Sequence, residues 1–353
     1  MYMIAANAWL RRKGRIMKAL VKKLWAFVNP YLLPLCIPAA YYLMLMLWMP
    51  QRITLGNARY YVVQAVMPAV LAWGASFSLT VGHRDFSIGA SVLAAAIIGG
   101  NLALGWGLGI PGLILLCPLV GLLTSSITGG LFVLLKIPSM IVSIGVMLVV
   151  ESLCGIVFGG DGVFLPKQYV VFAGSGKTLI FGLCVFLLAY VLYNHTSYGY
   201  HVRAIGSNCA VASTRGLNVP RVRFWCFALS GLFAGFYAVL LLGTTSVQRS
   251  VNAMGTMKTA FDGMMCFCVG LAVAPRANPI PSIFIGSLYM QLVQLTLAVA
   301  NFPSTFTQSV VALFVLAVMC YSARKQLSGM RRAHRRECVE IQRQEDEKGI
   351  GKV

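Results

Sequence analysis

The chain has 353 residues, of which 58% are hydrophobic and 11% charged, against about 25% charged in a soluble domain. That composition excludes a water-soluble globular protein and points to an integral membrane protein. The net charge of +20 does not mark a nucleic-acid binder, because the basic residues stand at the ends of the chain and between apolar stretches.

In chain order, residues 1–30 form a basic cytosolic segment. The following stretch, 31–49, is too long for the core of a signal peptide and is read as an uncleaved first span. A membrane-crossing helix needs about 20 mainly apolar residues. On that basis ten spans are predicted: 31–49, 60–81, 87–105, 110–135, 138–158, 178–194, 224–243, 259–274, 280–300 and 304–321. With the N-terminus inside, 23 Lys and Arg fall on the cytosolic side and 6 on the other. This asymmetry predicts an all-α polytopic bundle of about ten transmembrane helices with both termini cytosolic. The apolar membrane body is 31–321, and 322–353 is a charged cytosolic tail suited to the anionic inner membrane surface.

Between the second and third spans, GHRDFSIGAS at Gly82–Ser91 predicts either a plain loop or a segment dipping into the membrane. Asp85 or Ser87 can cap the helix that follows, with Asp85 paired to Arg84 or His83, or serve a solute. Glu151 is the acid expected inside a span, which makes it a functional candidate, the alternative being a carboxyl bonded within the bundle. The external loop 159–177 carries apolar Val163–Leu165 and Tyr169–Phe172. These are expected to rest on the membrane surface or to meet an external partner. Its GSGKT run, Gly174–Thr178, fails as a phosphate loop because Val171 stands where the pattern needs glycine.

The central loop, 195–223, is polar and basic, with Arg203, Arg215, Arg221, Arg223 and no acid. Gly206, Ser207 and Asn208 predict a turn ending in an N-cap, Cys209–Arg215 two helical turns, and Gly216 a stop. Pro220 breaks the chain again before the apolar run from Phe224. The loop is either a surface for a partner or an ordinary connector. Ten cysteines show no metal or disulfide spacing, and His83, His195, His201 and His334 are not spaced as a metal site, so no metal or catalytic residue is predicted.

The fragments DFSIG at Asp85–Gly89, LKIPSMIVSIGVM at Leu135–Met147, Tyr198–Gly199, AIGSN at Ala204–Asn208, GLNVPRV at Gly216–Val222 and SGLFAG at Ser230–Gly235 occur in a telling order. In that order the chain resembles the permease subunits of bacterial ATP-binding cassette (ABC) importers of the ribose, xylose and galactoside type. The resemblance runs in weaker form over about 60–321. It implies a non-catalytic permease in the bacterial inner membrane, moving a small polar solute, most naturally a monosaccharide, by alternating access. It also implies a second permease copy or paralogue, cytosolic ABC ATPase subunits that bind the ATP and Mg, and an extracytoplasmic solute-binding protein. The implied ATPase-coupling residues are Ala204, Ile205, Gly206, Asn208, Ala212, Arg215, Gly216, Leu217, Asn218 and Val219. Two departures stand out: Cys209 and Ala210 replace the family's acidic pair, and Val269–Pro281 replaces its glycine-rich segment.

A translocation path would draw on Gln64, Asp85, Ser87, Asn101, Glu151, Gln291 and Gln294, each also readable as helix-packing polarity. The alternative is a proton- or ion-coupled secondary transporter using Glu151 and Asp262. It leaves the capped basic loop without a role.

Overall fold

In the computed structural model the described residues are 31–320, apart from 33, 49–50, 52–54, 173–175, 276, 304–305 and 308. The predicted N-terminal segment and tail lie outside them. A helix stands on each of the ten predicted stretches. They are α1 Pro34–Trp48, α2 Leu55–Thr80, α3 Ser87–Gly105, α4 Gly109–Leu135, α5 Ser139–Cys154 and α6 Gly176–Asn194. After two shorter helices, α7 Ser197–Ser207 and α8 Cys209–Thr214, come α9 Val219–Thr245, α10 Met257–Val273, α11 Pro279–Val299 and α12 Ser309–Cys320. Six of these, α2, α3, α4, α6, α9 and α11, are long and apolar enough to cross a membrane. The last helix falls in a separate compact unit that begins at Asn301.

The core is assembled by close backbone approach, which small residues permit where lipid supplies no hydrophobic drive between helices. A Cβ on Gly121 of α4 would meet the Gly231 carbonyl oxygen of α9 at 2.3 Å, and one on Gly235 would meet Pro118 Cα at 2.2 Å. Thus SGLFAG is a packing seam: it lets α4 and α9 touch main chain to main chain. A second seam joins α10 to α11, where a Cβ on Gly286 would meet the Cys266 carbonyl oxygen at 2.3 Å. Between them lies α2, whose buried Trp73 donates to the Ile280 carbonyl at the start of α11 (2.9 Å).

Polar atoms inside this bundle are answered by specific partners. A π-helical turn at Ala95–Gly99 interrupts α3, and beyond it the Asn101 amide donates to the Gly162 carbonyl at 3.0 Å. Gly162 leads into a two-residue strand, Val163–Phe164, paired antiparallel with Val247–Gln248. The external-loop expectation is corrected here. Val163, Leu165, Tyr169 and Phe172 are buried, and Phe172 lies against Gly243 of α9. These four side chains turn into the bundle, where they are removed from water, whereas Phe164 stays exposed, 52%, and Val170 and Val171 are half-buried.

Candidate functional site

Three regions gather the residues that chemistry could use. At one end of the bundle, α7 and α8 form a compact knob. Thr196 caps α7 by accepting the Gly199 N–H (3.2 Å), and α7 buries Gly199, Val202 and Ile205, a spacing of three that lays one helical face on the bundle. Asn208 caps α8 through its side-chain oxygen, which accepts the N–H groups of Ala210 (3.1 Å) and Val211 (3.2 Å). At the far end Gly216 has φ +82°, and the Leu217 N–H reaches back to the Ala212 carbonyl (3.2 Å), a Schellman-type stop that the left-handed glycine makes possible.

Of the predicted coupling residues, Ile205, Ala212 and Val219 are buried and fix the knob to the bundle. Gly206, Asn208, Arg215, Gly216 and Asn218 are exposed, and Ala204 and Leu217 are half-buried. Two expectations fail. Gly206 is not in a turn: it belongs to the last turn of α7, where a Cβ would stand 2.3 Å from the Thr80 carbonyl oxygen at the end of α2. Nor does Pro220 break the chain. It occupies the first turn of α9, whose cap is Asn218 (Arg221 N–H to Oδ1, 3.2 Å), a place where a missing N–H costs nothing. Arg203 is drawn inward, donating to the Tyr193 carbonyl and lying 4.6 Å from the Tyr200 ring centroid. Beside the knob His83 packs edge-on to Phe132, with ring centroids 4.8 Å apart, and burial, aided by the Arg223 charge, pushes its pKa down to about 4.

The second region holds the two buried acids among the predicted path residues. Asp85 accepts from the Ser87 N–H (3.0 Å), the Ser87 hydroxyl (2.6 Å) and the Ser230 hydroxyl (3.4 Å). Ser87 also meets Thr128 at 3.0 Å. DFSIG therefore starts α3 inside the bundle: Ser230 lies about 16 Å along α9 from its first residue at 1.5 Å per residue. The pairing with Arg84 or His83 does not form, because inside the bundle serine hydroxyls and helix N–H groups reach the carboxylate instead. Glu151 accepts from Met254 N–H (3.0 Å), Thr256 N–H (2.9 Å) and the Thr256 hydroxyl (2.5 Å), capping the start of α10. Both carboxylates stand where unpaired N–H groups and the helix dipole favour negative charge.

The third region is a cavity of about 270 Å³ between α2, α9, α10 and α11, slightly below the range of about 300–1,000 Å³ usual for small-molecule sites. Gln64, Gln291 and Gln294 meet in it, joined by Tyr237 and Asp262, whereas Asp85, Ser87, Asn101 and Glu151 lie elsewhere. Among the described residues none of these five side chains has a hydrogen-bond partner. Pro68 also lines the cavity. Lacking an N–H, it leaves the Gln64 carbonyl without its helical donor. Two other cavities, about 350 and 380 Å³, are walled almost wholly by apolar groups. Tyr237 was missed in the sequence, and Asp262 was noted only for the ion-coupled alternative. The signal lay in Asp262 sharing a cavity with the glutamines, which only the fold reveals.

The family described as "Branched-chain amino acid transport system / permease component" matches residues 57–320. The chain is 28% identical to the L-arabinose ABC transporter permease protein AraH of Azospirillum brasilense, over 78% of this chain and 82% of that protein. It is 23% identical to the galactofuranose transporter permease protein YtfT of Escherichia coli (strain K12), over 75% and 79% of the two chains. It is also 23% identical to the autoinducer 2 import system permease protein LsrC of Shigella flexneri, over 72% and 75%. No solved structure matches the chain significantly.

Proposed function

The chain belongs to the branched-chain amino acid transport system / permease component family, and on that premise we propose that it is the membrane-spanning subunit of an ATP-driven ABC importer for a monosaccharide. L-Arabinose and galactofuranose name the cargo of two relatives. In this reading the ten helices α1–α6 and α9–α12 cross the bacterial inner membrane, both chain ends are cytosolic, and α8 faces the cytosol. A second permease copy or paralogue completes the pathway. Cytosolic ABC ATPase subunits hold ATP and Mg, and an extracytoplasmic binding protein delivers the solute.

One observation carries the proposal: the capped knob of α7 and α8 touches α2 through Gly206 and Thr80 without room for a Cβ. A push on α8 by an ATPase passes through a hydrogen-bonded unit into the end of α2. The same helix carries Gln64 and Pro68 on the cavity wall, about 24 and about 18 Å from Thr80 at 1.5 Å per residue. Pro68 breaks the hydrogen-bond ladder there, so the helix has a place to flex when its end is displaced. The ion-coupled alternative needs a free carboxyl in the bundle. Of the two acids it could use, Glu151 is held by three hydrogen bonds as a helix cap, so that alternative rests on Asp262 alone and leaves the knob without a role.

The test is solute uptake by the complete transporter carrying Gly206→Val or Gly216→Pro. Each variant should insert in the membrane yet lose about tenfold or more of its ATP-dependent uptake, because one crowds Thr80 and the other cannot adopt φ +82°. Wild-type uptake by both variants would end the coupling role. Uptake that persists without ATP and collapses with an uncoupler would replace the importer with the ion-coupled carrier.

A further inference from the structure

We infer that the cavity bounded by α2, α9, α10 and α11 is the station at which the solute rests in transit, and that its polar groups select a neutral polyhydroxylated molecule over an anionic one. This rests on the permease reading and adds to it the binding residues, including Asp262 and Tyr237, and the charge class of the cargo.

Several fully buried hydroxyls of the bundle are satisfied internally, although His83 Nε2, Asn194 Nδ2 and Arg223 Nε have no partner among the described residues. Ser76, Ser78, Ser91, Thr178, Ser230 and Ser282 each hydrogen-bond to a carbonyl or to another side chain. Unanswered polar atoms are costly in such surroundings. Five partly buried side chains with free bonding capacity gathered around one space mark a place where something else can supply the partners. Their inventory describes it. Asp262 accepts only, each glutamine amide both donates and accepts, Tyr237 does either, and the Gln64 main-chain carbonyl adds an acceptor. A sugar hydroxyl both donates and accepts, so a ring carrying several of them can satisfy all of these groups.

Among the walls Met67, Leu71 and Met290 offer apolar surface for the C–H face of such a ring. No Lys, Arg or His lines the cavity, so a carboxylate or phosphate would meet Asp262 without a compensating cation. A zwitterionic amino acid would have its carboxylate unanswered.

Two measurements test this. In proteoliposomes holding the complete transporter, Asp262→Asn and the pair Gln291→Leu with Gln294→Leu should lower uptake of the transported neutral sugar about tenfold or more, as expected for lost hydrogen bonds to a charged or buried group. Co-purification of the ATPase subunits shows that these variants remain assembled. With the full chain alone in lipid nanodiscs, saturation-transfer NMR should detect L-arabinose or D-galactose but not ribose 5-phosphate, and the signal should vanish in Asp262→Asn. Unchanged uptake in both variants overturns the station. Stronger transfer to ribose 5-phosphate than to the sugars overturns the charge class. Because the nanodisc measurement needs no ATPase, it separates failure of the station from failure of the importer reading, which would show as a wild-type chain that captures no ATPase.

Discussion

Both carboxylate oxygens of Glu151 accept from residues just before α10, while Asp262, farther along that helix, is one of five polar side chains that line a cavity with no hydrogen-bond partner among the described residues. Both acids lie within the helical bundle, and the difference between them is one of satisfaction. A carboxylate whose bonds are all made to main chain and threonine is part of the scaffold. One whose bonds are unmade is held ready for a ligand. Asp85 falls with Glu151, since Ser87 and Ser230 occupy it.

The comparison is tested most severely by removing both kinds of acid. Glu151→Leu strips the acceptor from two main-chain N–H groups and one hydroxyl, at about 1–3 kcal/mol for each buried group left unpaired. It should cost about 3 kcal/mol or more, seen as a large fall in the thermal midpoint of the purified chain. Asp262→Leu removes no internal bond and should shift the midpoint by less than about 1 kcal/mol equivalent, or raise it, because a half-buried charge is lost. Equal destabilisation by the two substitutions would erase the distinction.

A smaller effect is expected at the knob, where Asn208→Ala deletes the cap of α8 and should cost about 1 kcal/mol. Its consequence should appear in coupling and leave global stability nearly unmoved, because α8 is a six-residue helix whose only buried residue is Ala212. Hydrogen exchange at Ala210 and Val211 should accelerate while the midpoint of the whole chain barely changes. If the midpoint falls as far as in Glu151→Leu, the knob is part of the scaffold and not a docking unit.

The local signals in the sequence were enough for this knob: Asn208 before a short helix and Gly216 after it are steric and hydrogen-bonding requirements of single residues. Periodicity and length were likewise enough to place a helix on each apolar stretch. What could not be read were contacts between elements. Gly206 looks like a turn residue in isolation, and only the approach of Thr80 shows it to be a contact. Pro220 reads as a breaker until Asn218 is seen to cap the helix that contains it. The apolar residues of 163–172 have no periodicity to say whether they face lipid, solvent or bundle. Glu151 could be flagged by its burial in a span, but its partners at 254 and 256 are about a hundred residues away, and no spacing rule links them. Asp262 was legible as a charge and not as a member of the glutamine cluster, for the same reason.

The smallest expected effect concerns His83: it is partly buried, its Nε2 has no partner among the described residues, and it lines none of the three cavities described above. Burial first, and the Arg223 charge second, lower its pKa from 6.5 to about 4. In the native chain the ring thus stays neutral over a range in which the unfolded chain takes up a proton. The sign follows from that difference. Above pH 6.5 neither state is protonated and the contribution of His83 to stability is fully present. As pH falls from 6.5 towards 4 the unfolded state gains the proton first, and stability is lost until the native ring also titrates. Partial solvent exposure limits the loss to about 1 kcal/mol. Thermal midpoints of the wild-type chain and His83→Gln, measured between pH 7.5 and 4.5, should therefore converge or cross on the acid side. Arg223→Gln, by removing one of the two causes, should shrink the wild-type slope without abolishing it. If the wild type and His83→Gln run parallel across that interval, His83 titrates as a solvent-exposed ring would, and its place beside Phe132 and Arg223 has no electrostatic consequence.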